Sequence, residues 1–109
     1  MICIDKTVQC YPHFNESKLF AVNMLGEEQE ELSRRFATKG IEKFNGIPWR
    51  KGESGLALLE GAISHIECRV VHAYDGGDHT IYVGQILSAS ASGDRPLMFF
   101  QGKYHRLPK

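Results

Sequence analysis

The chain has 109 residues, no formal net charge at pH 7 and an isoelectric point near 7.0. With 42% hydrophobic and 24% charged residues, the composition is typical of a single globular domain, residues 1–109. Without a basic excess, nucleic acid and anionic membranes are not expected partners, and no apolar run is long enough to span a bilayer. The N-terminus also lacks the basic start and apolar core of a signal peptide.

The three cysteines form no CxxC pair. A zinc site is therefore not predicted, and a reducing, cytoplasmic setting is expected. Cys3 and Cys68 lie in apolar, strand-like runs and are predicted to be small buried side chains.

The first part of the chain alternates strand-like and irregular segments. Residues 1–4 (MICI) match the end of a strand, and residues 18–25 (KLFAVNML) have the β-branched and aromatic composition of a buried strand. The polar segment between them is predicted as a loop with a short helical turn after Pro12, because proline suits a first helical position. Met1 starts inside an edge strand, so a partner or preceding sequence is expected to cover that strand.

Residues 26–40 (GEEQEELSRRFATKG) give the one clear helix prediction. Glu30 with Arg34 and Glu31 with Arg35 are acid-first pairs four residues apart, and Gly40 is the expected stop. The acidic residues near its start are read as a solvated face that complements the helix dipole.

The remainder of the chain is mostly strand-like. Residues 41–55, which include Trp49, are predicted as a loop, and Gly84 indicates a bulge or a close backbone approach. Because strands dominate, the fold is predicted to be mainly β, as a small barrel. The predicted strands of this part are residues 56–61, 62–74, 79–91 and 96–107.

A glycine-rich turn, Asp75-Gly76-Gly77-Asp78, joins the two long strands. His79 follows at the strand end with the same parity as Ile81, Val83 and Leu87, so it is expected to point toward the apolar side. There a histidine can contact both a ligand and solvent and can change charge near neutral pH. The alternative is a histidine that caps the hairpin by bonding to the Asp78 or Asp75 carboxylate.

The spacing of His65, His72 and His79 does not predict a metal site. They are seven residues apart, and an odd separation along a regular strand places side chains on opposite faces.

Five strings taken together carry a family resemblance: FAVNML, EEQEELSRRFA, LLEGAISHIECRVV, GGDHTIYVGQI and PLMFFQGKY. In this order they resemble the flavin reductase-like family with the FMN-binding split barrel, and the GDH turn is the most specific motif. The resemblance implies a dimeric split β-barrel of Greek-key type that binds FMN, or FAD in some members. It also implies hydride transfer from NADH or NADPH to flavin, with reduced flavin passed to a separate monooxygenase.

The resemblance also assigns roles to individual residues. His79 would lie beside the isoalloxazine or nicotinamide ring, in a turn shaped by Gly77 and Asp78. The loop after the first strand would contact the flavin phosphate and ribityl chain, with Cys10 standing where relatives often have threonine. Solvated loop, backbone-bonding and core roles remain the alternatives for these residues. The expected cofactor-binding residues are Lys6, Thr7, Gln9, Cys10, Tyr11, Asn23, Gly77, Asp78 and Tyr104.

The main departure from the family lies at the N-terminus, where members have a further stretch that contacts flavin. The barrel is therefore expected to be N-terminally shortened, with exposed sheet edges and weaker flavin binding. Two functions stay open on the sequence: an NAD(P)H-dependent flavin reductase, and a non-catalytic flavin-binding dimer or truncated remnant without cofactor.

Overall fold

An antiparallel sheet of four strands organises the chain, and the computed structural model describes all of residues 1–109. Two additional two-stranded hairpins and two helices complete the fold. In chain order the elements are β1 (Ile2–Asp5), α1 (Tyr11–Ser17), β2 (Leu19–Met24), α2 (Glu30–Ala37), β3 (Trp49–Lys51), β4 (Ala57–Leu59), β5 (Ser64–Gly76), β6 (His79–Ala91), β7 (Met98–Phe100) and β8 (Lys103–His105).

The large sheet has the strand order β1-β6-β5-β2 and curls into half a barrel, so the mainly β, split-barrel prediction is confirmed. Strands β5 and β6 pair from Ser64 opposite Ala91 to Gly76 opposite His79, around a turn in which Gly77 takes a φ of 79°. Two β-bulges interrupt this pairing, between Glu67 and Cys68 and between Val70 and His72. Bulges bend the strands that carry them, which contributes to the curl of this long hairpin.

Gly84 lies where the sheet meets a buried ring. A Cβ atom at this position would lie 2.6 Å from Cζ of Phe20 and 2.9 Å from Cβ of Cys68. The predicted close backbone approach is therefore confirmed, because only glycine leaves room for the Phe20 ring against β6.

The segment before β2 is more helical than its sequence predicts. Instead of a loop with one turn, residues Tyr11–Ser17 form a complete helix with Pro12 in its first turn. The Phe14 ring lies 5.4 Å from that of Tyr82 and 6.0 Å from that of Phe20, between ring centroids. Tertiary packing of this aromatic residue stabilises a helix too short to persist alone, so the predicted helical turn after Pro12 is present and extends to seven residues.

Helix α2 is confirmed, although it is shorter than residues 26–40. The Arg34 guanidinium pairs with Glu30 at 3.0 Å, as predicted, whereas Arg35 Nη1 donates to the Asn45 carbonyl instead of pairing with Glu31. The helix ends at Ala37, before Gly40, because Thr38 adopts an extended conformation.

Two other boundaries differ from the sequence prediction. Strand β3 occupies part of the predicted loop 41–55, where it pairs with β4. The predicted strand 96–107 is instead a hairpin, because Gln101 and Gly102 both take positive φ, of 51° and 77°, and reverse the chain.

Few side chains are fully buried, and most of them lie on the large sheet or on β4. Cys68 is buried as predicted, and burial raises the pKa of its thiol. Cys3 is exposed, so its predicted burial was wrong; β1 is an edge strand with little packed against it. No helix is both long and apolar enough to cross a membrane. The buried apolar residues are Phe20, Leu58, Leu59, Ala62, Cys68 and Tyr82.

Candidate functional site

An apolar pocket of about 570 Å³ opens between α1, β2, α2 and β4. Its walls are mostly aromatic and aliphatic, and its few polar groups lie on α1 and β2. A volume of this order accommodates a small organic molecule, and such a lining suits a flat apolar ring. Its principal walls are Phe14, Phe20, Phe36, Phe44, Leu56 and Leu59, and we call this cavity the apolar pocket.

A row of aromatic rings extends from the apolar pocket to the surface. Phe36 and Phe44 meet edge to face with centroids 5.2 Å apart, and Phe44 lies 5.7 Å from Trp49. Trp49 remains 42% exposed, and it is the only tryptophan in the chain. Trp49 does not line the apolar pocket, but its ring packs on Phe44, which does, so its fluorescence can report on a ligand bound there.

Asn23 lies at the floor of the apolar pocket, but its amide is already engaged. Its Oδ1 accepts the Leu59 N–H at 2.8 Å, and its Nδ2 donates weakly to the Ala57 carbonyl at 3.5 Å. The side chain therefore holds β4 against β2, which is the backbone-bonding role the sequence left open. Contact of Asn23 with flavin stays a prediction.

A second group of residues, the turn cluster, surrounds the tip of the β5–β6 hairpin. The Lys6 ammonium contacts the Asp75 carboxylate, and the Lys6 N–H donates to the Asp78 carbonyl at 2.9 Å. The hydrogen bond to Asp75 raises the pKa of Lys6, and the same bond lowers the pKa of Asp75. The turn cluster consists of Asp5, Lys6, Thr7, Asp75, Asp78 and His79.

The hydroxyl and imidazole groups of the turn cluster form hydrogen bonds with its carboxylates. The Thr7 side chain and N–H both donate to Asp5 Oδ1 at 2.7 Å, which lowers the pKa of Asp5. His79 Nδ1 lies 2.8 Å from Asp78 Oδ1, and this hydrogen bond lowers the pKa of Asp78. The bond to Asp78 is the hairpin-capping geometry that the sequence offered as an alternative.

The face of β6 that carries His79 is not the most buried one. Thr80 and Tyr82 are 7% and 1% exposed, whereas Leu87 is 45% exposed. The predicted apolar face was therefore the wrong one, because α1 packs on the side of Tyr82. In addition, the bulge between Glu67 and Cys68 leaves Leu87 without a partner on β5, which interrupts the alternation of side chains between the two faces of β6. The His79 side chain is 42% exposed and can meet a ligand from solvent.

Tyr11 lies between the turn cluster and α1. Its hydroxyl is 2.9 Å from Thr80 Oγ1, and hydrogen bonding there lowers the pKa of Tyr11. The neighbouring Tyr82 hydroxyl donates to Asn15 Oδ1 at 2.9 Å, and burial raises the pKa of Tyr82. These hydroxyl bonds fasten the first turns of α1 to β6, the strand that begins at His79.

The remaining predicted site residues are distributed over three places. Cys10 is the N-terminal cap of α1 and lines the mouth of the apolar pocket, whereas Gln9 is exposed beside it and Gly77 forms the hairpin turn. Tyr104 packs on α2, with Ser33 Oγ 2.8 Å from its hydroxyl and the Arg34 guanidinium 4.7 Å from its ring centre. It lies outside the lining of the apolar pocket.

The electrostatic character of the two regions differs. The turn cluster has three carboxylates against one lysine and a histidine, so it does not favour a phosphate group. It suits a cationic or neutral polar group instead. The apolar pocket offers no carboxylate, and its mouth carries His13 and Cys10.

Sequence reasoning missed the aromatic walls of the apolar pocket. Phe14, Phe36 and Phe44 lie in a predicted loop, a helix and another predicted loop, and nothing local indicates that they meet. The signal available was their presence as large apolar residues within polar segments, where burial against a distant element is the usual explanation.

These observations define the class of protein: a mainly β half-barrel that has an apolar pocket lined by α1, β2, α2 and β4 and a polar cluster at the tip of the β5–β6 hairpin. Residues 1–108 match the model of the flavin reductase like domain, and the chain belongs to that family.

The proteins that this chain resembles in sequence and structure carry the names of flavin reductases. The reductase subunit HsaB of a flavin-dependent monooxygenase from Mycobacterium tuberculosis is 38% identical over 107 residues, covering 95% of this chain and 57% of HsaB. The NADH-dependent FMN reductase SmoA of Agrobacterium fabrum is 35% identical, covering 95% of this chain and 59% of SmoA. The structure of the NADH:FAD oxidoreductase SgcE6 of Streptomyces globisporus with NAD and FAD fragments superposes with a TM-score of 0.93 and 33% identity. That superposition covers 98% of this chain and 66% of SgcE6. The chain thus spans little more than half the length of the curated relatives it matches.

Proposed function

We propose that this chain, as one domain of residues 1–109, acts as an NADH- or NADPH-dependent flavin reductase. Its flavin is FMN, with FAD as the alternative. The observation that carries the proposal is the family match over residues 1–108 on a fold that has an apolar pocket of about 570 Å³. When bound, the flavin supplies the acceptor for a hydride from the reduced nicotinamide.

The apolar pocket is the part of this chain that fits a flavin ring. Phe14, Phe36 and Phe44 offer ring faces and edges and exclude water from one side of a planar ligand. Cys10 lines the pocket, and the exposed Gln9 precedes it in the chain, so a polar chain attached to the ring would leave the pocket on this side. Asn23 keeps β4 in place beneath it.

The turn cluster is proposed as the place where the nicotinamide meets the protein. The carboxylates of Asp5 and Asp78 favour the positive charge that a nicotinamide ring acquires on oxidation. His79, held by Asp78 and partly open to solvent, orients the carboxamide or the ring. The ion pair between Lys6 and Asp75 fixes the loop that joins β1 to α1 against the hairpin tip.

Titration of the 109-residue chain with FMN tests the proposal, with Trp49 emission and the visible spectrum of the flavin as readouts. We expect saturable quenching of Trp49 and a shifted flavin spectrum. The substitution Ala21→Phe fills the apolar pocket and should abolish both signals, whereas Ala73→Phe on the exposed hairpin should leave them unchanged. Equal binding by both variants would exclude the apolar pocket as the site.

A steady-state assay of NADH and NADPH oxidation with added FMN then separates two functions. Flavin-dependent oxidation supports the reductase. Saturable FMN binding without oxidation would support the non-catalytic flavin-binding module instead.

We further propose that the protein is a cytoplasmic homodimer that passes reduced flavin to a separate monooxygenase. Exposed apolar side chains, among them Ile86 at 61% and Phe100 at 62%, provide surface that a second copy would cover. Relatives such as HsaB carry the name of a monooxygenase reductase subunit. Sedimentation velocity tests the dimer, and stimulation of a flavin-dependent oxygenase by the chain with NADH and FMN tests the transfer.

A further inference from the structure

Glu67 is a carboxylate buried almost completely, at 3% exposure, on β5. Burial of a charged group is unfavourable unless hydrogen bonds or an opposite charge compensate for it. None of the ion pairs of the structure includes Glu67: the nearby Arg50 guanidinium lies 3.8 Å from the Glu60 carboxylate instead. Glu67 is therefore stabilised by hydrogen bonds, and the position of their donors shows what this side chain holds.

Both hydrogen bonds to Glu67 come from the turn that joins β3 to β4. Oε1 accepts the Ser54 N–H at 3.0 Å and the Ser54 hydroxyl at 2.5 Å. These bonds lower the pKa of Glu67, so the carboxylate stays charged. Gly52 lies directly over the same group, where a Cβ atom would be 2.2 Å from Oε1. The turn and the carboxylate thus fit each other closely.

The hairpin held in this way forms a wall of the apolar pocket. Its strand β4 contributes Ala57 and Leu59 to the lining, and Leu56 precedes them. The hairpin has only three residue pairs, and a two-stranded ribbon of this length is not stable by itself. Its position therefore depends on bonds from the large sheet.

Three side chains of the large sheet make those bonds. Asn23 accepts the Leu59 N–H at 2.8 Å and donates weakly to the Ala57 carbonyl at 3.5 Å, and His65 Nε2 lies 2.7 Å from the Leu59 carbonyl, so both act on β4 itself. Glu67 alone holds the opposite end, at the turn. Without it, the hairpin keeps its anchors at Ala57 and Leu59 but loses the bonds that hold residues 52–56 to the large sheet.

We infer that Glu67 is a positioning residue that clamps the β3–β4 hairpin and thereby sets the shape of the apolar pocket for its flavin ligand. The ligand part of this inference rests on the proposed function, whereas the clamp itself does not. The titratable groups that line the same cavity as Glu67 are Arg50, Lys51 and Glu53 of the hairpin and His65 of β5. The clamp is built from hydrogen-bond donors of Ser54 and not from these side chains.

Amide hydrogen exchange of the 109-residue chain without ligand tests the clamp. In the Glu67→Gln variant we expect exchange in the β3–β4 ladder to accelerate about tenfold or more, with no change in the paired amides of β5 and β6. Gly52→Ala should produce the same pattern by steric displacement, because Gly52 does not need a positive φ. Glu53→Gln removes a neighbouring exposed charge and serves as the matched control. Unchanged exchange in the hairpin, or equal acceleration everywhere, would overturn the inference.

Measurements of FMN affinity and of steady-state kinetics test whether the clamp sets the shape of the apolar pocket. We expect Glu67→Gln and Gly52→Ala to raise the Kd and KM for FMN about tenfold with kcat unchanged, and Ser54→Ala to have a smaller effect because its N–H remains. Full FMN affinity in variants whose hairpin is loosened would refute the link between clamp and pocket. If the unaltered chain binds no FMN, the proposed function fails, and the exchange experiment still decides whether Glu67 is a clamp.

Discussion

Replacement of Gly84 by alanine tests how closely the large sheet approaches the wall of the apolar pocket. Gly84 adopts no positive φ, so alanine brings no backbone strain, and the effect is steric. The added Cβ would lie 2.6 and 2.8 Å from two carbons of the Phe20 ring and 2.9 Å from Cβ of Cys68. Distances below 3.0 Å require a shift of one of these groups.

The size of the effect follows from which neighbour can yield. Cys68 Cβ is attached to the backbone of the central strand β5 and cannot move far, so the Phe20 ring has to rotate or slide. Phe20 is 6% exposed and touches the Phe14 ring, so its movement disturbs the packing of α1. Overpacking of a buried site of this kind costs about 2 kcal/mol. In a domain of this length, that corresponds to a fall in Tm of about 8 °C or more.

Urea unfolding followed by Trp49 emission measures this loss, and FMN titration measures its consequence for the apolar pocket. Because Phe20 lines the pocket, the displaced ring should also weaken FMN binding. The double variant Gly84→Ala, Phe20→Leu is the control, since leucine removes the two ring carbons closest to the new methyl group. We expect the double variant to lose clearly less than the sum of the single variants. Strict additivity, or an alanine variant as stable as the parent chain, would refute the reasoning.

Three further predictions concern individual side chains. His79→Ala should slow flavin reduction in the NADH assay while the circular dichroism spectrum stays unchanged; an unaltered rate would leave His79 as a turn residue. Tyr82→Phe should cost about 1 kcal/mol in urea unfolding, because the hydroxyl that donates to Asn15 is lost, and no loss would mean that this bond is not stabilising. Because folding lowers the pKa of Glu67, its carboxylate stabilises the folded state at pH values above about 4.5, the ordinary pKa of a glutamate. This stabilisation is lost as the pH falls through the lowered pKa of the folded state. The free energy of unfolding should therefore change less in Glu67→Gln than in the parent chain between pH 6 and a pH roughly two to three units lower. Identical pH profiles of the two proteins would contradict the assignment.

Local sequence patterns predicted the long elements of this protein well. The β5–β6 hairpin, helix α2 and strand β2 each contain their own signal: a glycine turn between alternating residues, paired charges four apart, and a run of β-branched and aromatic residues. Their existence depends mainly on interactions between residues close in sequence. Their exact ends do not, as Thr38 shows by ending α2 before Gly40.

The short elements, and the choice of which strand face is buried, depend on residues distant in sequence and were predicted poorly. Helix α1 is stabilised by Phe14 packing on Tyr82, a residue far along the chain, and β3 exists through pairing with β4. The face of β6 that is buried was misassigned because α1 covers the side of Tyr82 and because one bulge leaves Leu87 of β6 unpaired, which shifts the alternation. A period of two identifies two faces of a strand but does not tell which one another element will cover.

The candidate site shows the same division. The sequence located the turn around His79 and the loop after β1, because their residue types and order resemble a known family. Whether those side chains contact ligand stays a prediction, and the structure adds that Lys6, Thr7 and His79 all bond to carboxylates within the turn cluster.

By itself, the sequence determined the family, the mainly β architecture and the hairpin that carries His79, since these depend on periodicity, turn chemistry and motif order. Only the tertiary structure decided that Phe14, Phe36 and Phe44 enclose one pocket and that Glu67 reaches under the turn at Ser54. The physical reason is that burial and hydrogen-bond compensation are properties of groups brought together by folding, and no local pattern of residues records which distant groups will meet.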